Sequence, residues 1–242
     1  TGTETGDMQY WNGSSWVTVV AGNEGETLQM IGGVPTWTVI TPPFPCGVSI
    51  TIAHDSGSVA PETKTVTYGT ILTDLTGSNK CWITQNLGAS IQADSATDAS
   101  DAAAGWYWQF NRKQGYKVHP LSPAWTITII DENSDWAPDN DPCALLLGFG
   151  WRIPTYTEFG YADANGGWDN YTETYASVLK IHAAGYLLNS DGSLTNRGSH
   201  GYYWNSTQTS SPSGWSLYFN SSSSHVRHYF KAYGLSVRCL RD

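Results

Sequence analysis

Charge is scarce in this chain. Only 14% of its 242 residues are Asp, Glu, Lys or Arg, where an average globular domain has about a quarter. The 12 basic residues face 21 acidic ones, for a formal net charge of −9. That balance argues against nucleic acid as a partner, because non-specific affinity for a phosphate backbone comes from clustered Lys and Arg. No apolar run approaches the roughly 18 residues of a membrane-spanning helix, so no membrane insertion by this chain is expected. Thr1 does not begin a signal peptide, and the chain reads as a soluble mature form whose leader is gone. Catalytic signatures are missing too: there is no G-x-S-x-G elbow, no H-E-x-x-H helix and no C-x-x-C pair.

Aromatic residues are plentiful instead. Twelve Trp and 14 Tyr stand among Gly, Ser, Thr and Asn, a composition suited to pleated sheet joined by tight turns. With 40% hydrophobic residues, disorder is not expected. The four cysteines, Cys46, Cys81, Cys143 and Cys239, are even in number and dispersed, which fits two disulfides in an oxidising compartment. Three pairings are open, and four reduced, buried thiols are the alternative.

The pattern divides the chain. Residues 1–40 carry two hairpins. The first is Met8–Trp11 and Trp16–Val20 around Asn12-Gly13, a dipeptide that readily takes a type I′ turn. The second is Thr27–Ile31 and Val34–Ile40 around Gly32-Gly33. So few strands have too little apolar area to stand alone, so they must pack on the rest of the chain, on a second copy or on another subunit. The proline-rich residues 41–45 form a stiff linker, and residues 46–242 form the main domain. There, Val48–Ala53 and Lys64–Tyr68 read as strands, Ser90–Ala104 as a loop or short helix, and Tyr175–Ile181 as a second helix. The clearest helix start is Thr155, with Glu158 three residues on to complete a capping box. The last fifty residues alternate as an antiparallel meander, with Trp215, Leu217 and Phe219 against Ser216, Tyr218 and Asn220. Val226, His228 and Phe230 likewise alternate with Arg227, Tyr229 and Lys231, and Leu235, Val237 and Cys239 with Ser236 and Arg238, giving one apolar face and one wet face. The expected class is α+β, an irregular antiparallel sheet with one or two helices.

Four ordered motifs run through residues 46–242: Lys80-Cys81-Trp82-Ile83-Thr84-Gln85-Asn86-Leu87, then Asp141-Pro142-Cys143 leading to Gly150-Trp151-Arg152-Ile153-Pro154-Thr155, then Gly201-Tyr202-Tyr203-Trp204-Asn205-Ser206, then Ser236-Val237-Arg238-Cys239-Leu240-Arg241-Asp242. In these the chain resembles the Fibrobacter succinogenes major paralogous domain family. The resemblance implies a fold like that of C-type lectins and formylglycine-generating enzymes, and a secreted or cell-surface setting in Bacteroidetes and their relatives. Tyr10–Val17 also resembles short segments that precede such domains in long surface proteins. The family's biochemical role is largely unassigned, so the resemblance names neither reaction nor ligand.

Several chemistries were weighed on the residues. The copper oxidases of the related fold need two neighbouring thiols near the C-terminus, and Cys239 stands alone after Cys143. His182, His200, His225 and His228 reproduce no iron-binding spacing, and three-residue spacing on a strand sends His225 and His228 to opposite faces. The chain is therefore expected to be non-catalytic. Calcium is the cofactor to consider. Asp131, Asn133, Asp135 and Asp139, with Asp141 beyond, offer hard oxygen ligands, although Trp136 stands where an EF-hand loop needs glycine. Asp163, Asn165 and Asp169 are a second candidate set. The alternative is a solvated acidic loop in each case.

For a bound sugar, the lectin-type Trp-Asn-Asp signature is reduced to Trp204-Asn205-Ser206, without its carboxylate. Stacking on Trp106, Tyr107, Trp108, Trp204 or Trp215 is the remaining route, against the alternative that these rings are core. Asn205, His225 and Arg227 complete the ligand-contacting candidates. Arg152 and Arg238, inside apolar segments, call for carboxylate or carbonyl partners. Sequons occur at Asn12, Asn170, Asn205 and Asn220, and Asp94-Ser95-Ala96 resembles a short bacterial O-glycosylation signal, making Ser95 a modification candidate. Two roles follow as expectations: a surface adhesion or recognition module for glycan or protein, or a subunit that self-associates head-to-tail into a surface fibre through residues 1–40.

Overall fold

A computed structural model describes residues 5–23, 26–39 and 45–242. The protein is mixed α+β, mostly sheet, with four short α-helices among the described residues. Its contacts separate it into two compact units, Thr1–Pro45 and Cys46–Asp242. The proline linker at 41–45, apart from Pro45, lies outside the described residues, as does Ile40.

The N-terminal unit holds two hairpins. Strands β1 (Met8–Trp11) and β2 (Trp16–Val19) pair antiparallel with Trp11 opposite Trp16. The Asn12 side chain accepts the backbone N–H groups of Ser14 and Ser15, both at 2.9 Å, which closes the turn. Strands β3 (Glu26–Ile31) and β4 (Val34–Val39) pair around Gly32 and Gly33, whose φ angles of 59° and 84° suit a type I′ turn. The hairpins are tied by the Trp37 indole N–H, 2.8 Å from the Val20 carbonyl. Neither sheet exceeds two strands, and Trp16 and Met30 stay 65% and 66% exposed.

The larger unit begins with a separate hairpin of β5 (Ile50–His54) and β6 (Lys64–Tyr68). After β7 (Thr70–Thr73) and β8 (Lys80–Ile83) come α1 (Asp101–Ala104), β9 (Tyr107–Trp108) and β10 (Gly115–Tyr116). Next are α2 (Pro142–Leu147), β11 (Trp151–Arg152), α3 (Tyr156–Gly166) and α4 (Tyr171–Ala176). The chain ends with β12 (Tyr186–Leu187), β13 (Leu194–Thr195), β14 (Gly201–Ser210), β15 (Ser213–Phe219), β16 (Ser224–Phe230), β17 (Gly234–Ser236) and β18 (Leu240–Arg241). One sheet has the order β11-β18-β8-β7. The eight-stranded sheet runs β10-β9-β17-β14-β15-β16, with β12 against β17 and β13 against β12.

The Thr155–Glu158 capping box opens α3 as its sequence predicts. Three expectations shift. The second helix lies earlier, Tyr171–Ala176, because Asn170 caps its first turn. The final meander holds only for β14, β15 and β16. Strand β17 crosses to the other side of β14 and meets it in parallel at Tyr203 and Ser236. The wet face of β15 is also largely buried, since Ser216 and Tyr218 are covered as well as Leu217 and Phe219. A strand in the middle of a sheet loses solvent on both faces when each is packed.

One face, here called the inner face, carries Tyr107, Leu187, Tyr203, Leu217 and Phe219 into a core shared with Phe159 and Ala162 of α3 and with Trp82. Gly201 allows the Phe219 ring to lie flat across β14, since a Cβ there would sit 2.0 Å from it.

The four motifs meet in this frame. Disulfides join Cys46 to Cys81 and Cys143 to Cys239, and no cysteine is free. The fully buried Arg238 donates to the Leu179 carbonyl at 2.9 Å and to Asn86 Oδ1 at 2.8 Å. Asn86 donates to the Tyr203 hydroxyl at 3.1 Å, which donates to the His182 carbonyl at 2.7 Å. Burial without a carboxylate brings the Arg238 guanidinium down to about 10. Arg152 makes a bidentate pair with Glu158, at 2.8 and 2.7 Å, and also reaches Asp242. The motif residues thus form a polar and disulfide framework inside the unit.

Candidate functional site: a tyrosine face on the large sheet

The outer face of the same sheet follows from the registers. Tyr202, Tyr218 and His225 stand in one cross-strand row, and Trp204, Ser216 and Arg227 in the next. Gly214 and Tyr229 follow. Along this face the aromatic residues sort by type.

At one end the rings are buried. Trp106, Trp108 and Trp204 are at most 1% exposed. The Trp204 indole donates to the Trp108 carbonyl at 2.7 Å, and Phe110 packs 5.3 Å from Trp204 and 5.1 Å from Trp136. Gly214 makes room for Phe110, because a Cβ there would lie 2.5 Å from that ring. Tyr107 is buried on the inner face. These residues are core, which corrects the expectation that Trp106, Trp108 and Trp204 present stacking surfaces. Asn205 is buried too, with its amide oxygen accepting the Thr207 N–H at 3.0 Å. Trp215 is half-buried on the inner face, 4.8 Å from Tyr156.

At the other end the face is partly open: Tyr186, Tyr229 and Tyr233 are half-exposed, while Tyr202 and Tyr218 beneath them are buried. Tyr202 lies 4.6 Å from Tyr186, 5.3 Å from Tyr218 and 5.1 Å from Tyr229, and Tyr233 lies 5.3 Å from Tyr186. Arg227 is held between two of these rings, 5.6 Å from the centres of Tyr218 and Tyr229, an arrangement in which the guanidinium is attracted by the π faces. His225 packs 5.2 Å from Tyr218 and His200 6.2 Å from Tyr202. Beside Arg227, Tyr186, Tyr229, Tyr233 and Phe230 line a cleft of about 270 Å³. Asn196 donates to the Tyr202 hydroxyl at 3.2 Å and Asn220 to the Tyr218 hydroxyl at 2.7 Å. Burial pushes the Tyr186, Tyr202 and Tyr229 hydroxyls up, so they remain protonated at neutral pH.

His225 and Arg227 are therefore the predicted ligand contacts that the structure brings together. His228 leaves the opposite face and meets Trp215 at 5.8 Å. The tyrosines were missed as a group, although the alternation of Tyr218, Arg227 and Tyr229 against Leu217, Val226 and His228 already places them on one face.

Among the described residues no three His, Cys, Asp or Glu side chains are grouped to hold a metal ion. In the first candidate set for calcium, Asn133 Oδ1 accepts from the Gln208 amide at 2.9 Å and Asp135 Oδ1 accepts the Gln208 N–H at 2.8 Å, so these oxygens pin the loop to β14. Asp131 and Asp139 join no such cluster, and Asp141 instead caps α2. In the second set Asp163 accepts from the Ser224 hydroxyl and Asn165 donates to the Leu75 carbonyl, while Asp169 joins neither in a ligand cluster.

The sequon residues serve the backbone: Asn12 closes a turn, Asn170 caps α4 and Asn220 accepts the N–H groups of Ser222 and Ser223. Ser95 is half-buried in the segment before α1. A second concave region, about 280 Å³, is lined by Glu62, Lys64, Asp101, Trp106, Lys117 and His119. Its charges pair with one another. Burial raises the Glu62 carboxyl, but hydrogen bonds from Lys64, Trp106 and Lys117 outweigh this and bring it to about 2.

Residues 166–240, under a third of the chain, match a family described only as a domain of unknown function (DUF8237). That stretch spans α4 and β12 to β17, and so includes every tyrosine of the open face. A search of curated proteins and a search of solved structures each returned no match.

Proposed function

We propose that this is a non-catalytic, secreted or cell-surface recognition module of lectin-like fold, of the kind found in the major paralogous domain family, and that it holds a glycan on its tyrosine face. The observation that carries this reading is the cluster of half-exposed Tyr186, Tyr229 and Tyr233 around the exposed Arg227, backed by buried Tyr202 and Tyr218. The half-exposed rings of Tyr186, Tyr229 and Tyr233 can meet the C–H faces and hydroxyls of a pyranose, and rigid aromatics lose little entropy when they bind. An extracellular setting is supported by two disulfides, which persist in oxidising compartments. No described helix is long and apolar enough to cross a membrane. A non-catalytic role is supported by the cysteines, because an oxidase of the related fold needs two thiols and both candidates are in disulfides. A glycan array probed with the full chain tests the reading. Binding that Tyr229→Ala and Tyr202→Ala both abolish supports it, and an empty array removes it.

A second reading, assembly into a surface fibre, rests on the N-terminal unit. Its two-stranded sheets leave Trp11, Trp16, Val20, Met30 and Ile31 exposed, and such edges and rings are ready to pair with a neighbouring chain. Light scattering at high concentration decides: concentration-dependent growth that Trp16→Ser suppresses supports it, and a monomer at every concentration ends it.

A further inference from the structure

Resting on the glycan reading, we propose that the tyrosine face selects a saccharide that carries an acid group, seated on Arg227. The arginines of this protein are otherwise engaged. Arg112 pairs with Glu132, Arg152 with Glu158 and Asp242, Arg197 with Asp101, and Arg238 binds carbonyls. The Arg227 guanidinium makes no hydrogen bond and no ion pair among the described residues, and its contacts are the rings of Tyr218 and Tyr229. In a chain of net charge −9 with 12 basic residues, a cation left without a carboxylate and braced between two rings is pre-organised for an anion brought by a partner. The guanidinium fork matches a carboxylate or sulfate with two parallel hydrogen bonds. The overall negative charge does not oppose this at short range, since salt screens exposed charges beyond about 8–10 Å.

The rest of the face argues for a saccharide over an acidic peptide. Tyr186, Tyr229 and Tyr233, half-exposed, line the cleft beside Arg227, and their rings and hydroxyls can meet the C–H faces and hydroxyls of a sugar. The adjoining cleft of about 270 Å³ lies below the roughly 300–1,000 Å³ of pockets that enclose whole ligands. It therefore holds one residue of a longer chain lying across the rings.

Calorimetric titration of the full chain tests this with three probes: an oligogalacturonate, a neutral oligosaccharide of equal length, and oligoglutamate. The expected result is that the oligogalacturonate binds and the neutral sugar binds roughly 10- to 100-fold more weakly, the loss expected for a charge-assisted pair. Arg227→Gln should remove that difference, Arg227→Lys should retain part of it, and neither should change the melting temperature. Equal binding of the acidic and neutral sugars, or an Arg227→Gln variant that discriminates like the wild type, overturns the acid selectivity and leaves the glycan reading intact. Oligoglutamate binding as tightly as oligogalacturonate overturns the saccharide assignment. Binding of none of the three overturns the inference and removes its support from the glycan reading together.

Discussion

The outer face of the large sheet carries tryptophans toward one end and tyrosines toward the other, on neighbouring positions of the same strands, and the two ends have different fates. Trp108 and Trp204 are closed over by Phe110 and Trp136, with the Trp204 indole satisfied by a main-chain carbonyl. Tyr186, Tyr229 and Tyr233 remain half-exposed around Arg227. An indole has one donor, and a backbone carbonyl satisfies it, so it can be buried without residual cost. A phenol both donates and accepts. Tyr202 and Tyr218, given amide donors by Asn196 and Asn220 respectively, are buried, and Tyr186, Tyr229 and Tyr233 keep part of their surface toward solvent. The apparent uniformity of an aromatic-rich sequence thus separates into a part closed into the core and a part left half-exposed.

The largest effect is expected at the tryptophan end. Trp204→Ala should cost about 3–5 kcal/mol in denaturant unfolding, the range for emptying a large buried ring. Replacing both Cys143 and Cys239 with Ser opens a loop with a sequence separation of 96 and should cost about 2–5 kcal/mol, more than the same change at Cys46 and Cys81, whose separation is 35. A stability loss at Tyr229→Ala equal to that at Trp204→Ala would erase the distinction between the ends.

Acid should act through the buried histidines. Burial, with Arg238 adding to it, lowers His182 to about 3, and burial, with Lys64 adding to it, lowers His54 to about 4. His54 packs 5.2 Å from Trp106. Both rings are neutral in the fold, whereas the unfolded chain takes up protons below about 6.5. Stability should therefore fall as pH drops from about 6.5 toward 4, and His54→Gln should flatten part of that slope in melting curves. An unchanged slope would contradict the neutral, buried state.

At the tyrosine end the effects on stability should be smallest. Arg227→Gln should leave stability within about 0.5 kcal/mol, as at other exposed positions, while the preference for an acidic sugar is lost. Tyr218→Phe keeps the ring and removes the phenol that Asn220 contacts, so it should weaken binding by less than Arg227→Gln does.

Local chemistry made some elements readable. Gly32-Gly33 forecast its hairpin because both glycines take the positive φ that a type I′ turn needs, and Thr155 with Glu158 forecast the start of α3. The first hairpin also forms, but through the four-residue loop Asn12–Ser15 with only Gly13 at positive φ, not through a type I′ turn at Asn12-Gly13. The helix expected at Tyr175–Ile181 lies instead at Tyr171–Ala176, because the Asn170 side chain caps its start. The crossing of β17 to the far side of β14 was not readable, because Leu235 and Val237 alternate in the same way whichever neighbour they join. The open face was half-read. His225 and Arg227 were chosen for their chemistry, but the tyrosines beside them were counted as general surface, and the tryptophans were given a role that burial withdraws.

By itself the sequence determined the α+β class, the turn positions, the poverty of charge that argues against a polyanion partner, and the even cysteine count. These depend on a residue's own conformational preference or on sums over the chain. The tertiary structure decided the two disulfide pairs, the burial of Arg238 on carbonyls, and the isolation of Arg227 from every described carboxylate. Each of these is a distance between residues far apart in the chain. Only folding fixes such distances, and they separate an arginine buried on core carbonyls from one braced between two tyrosine rings at the surface.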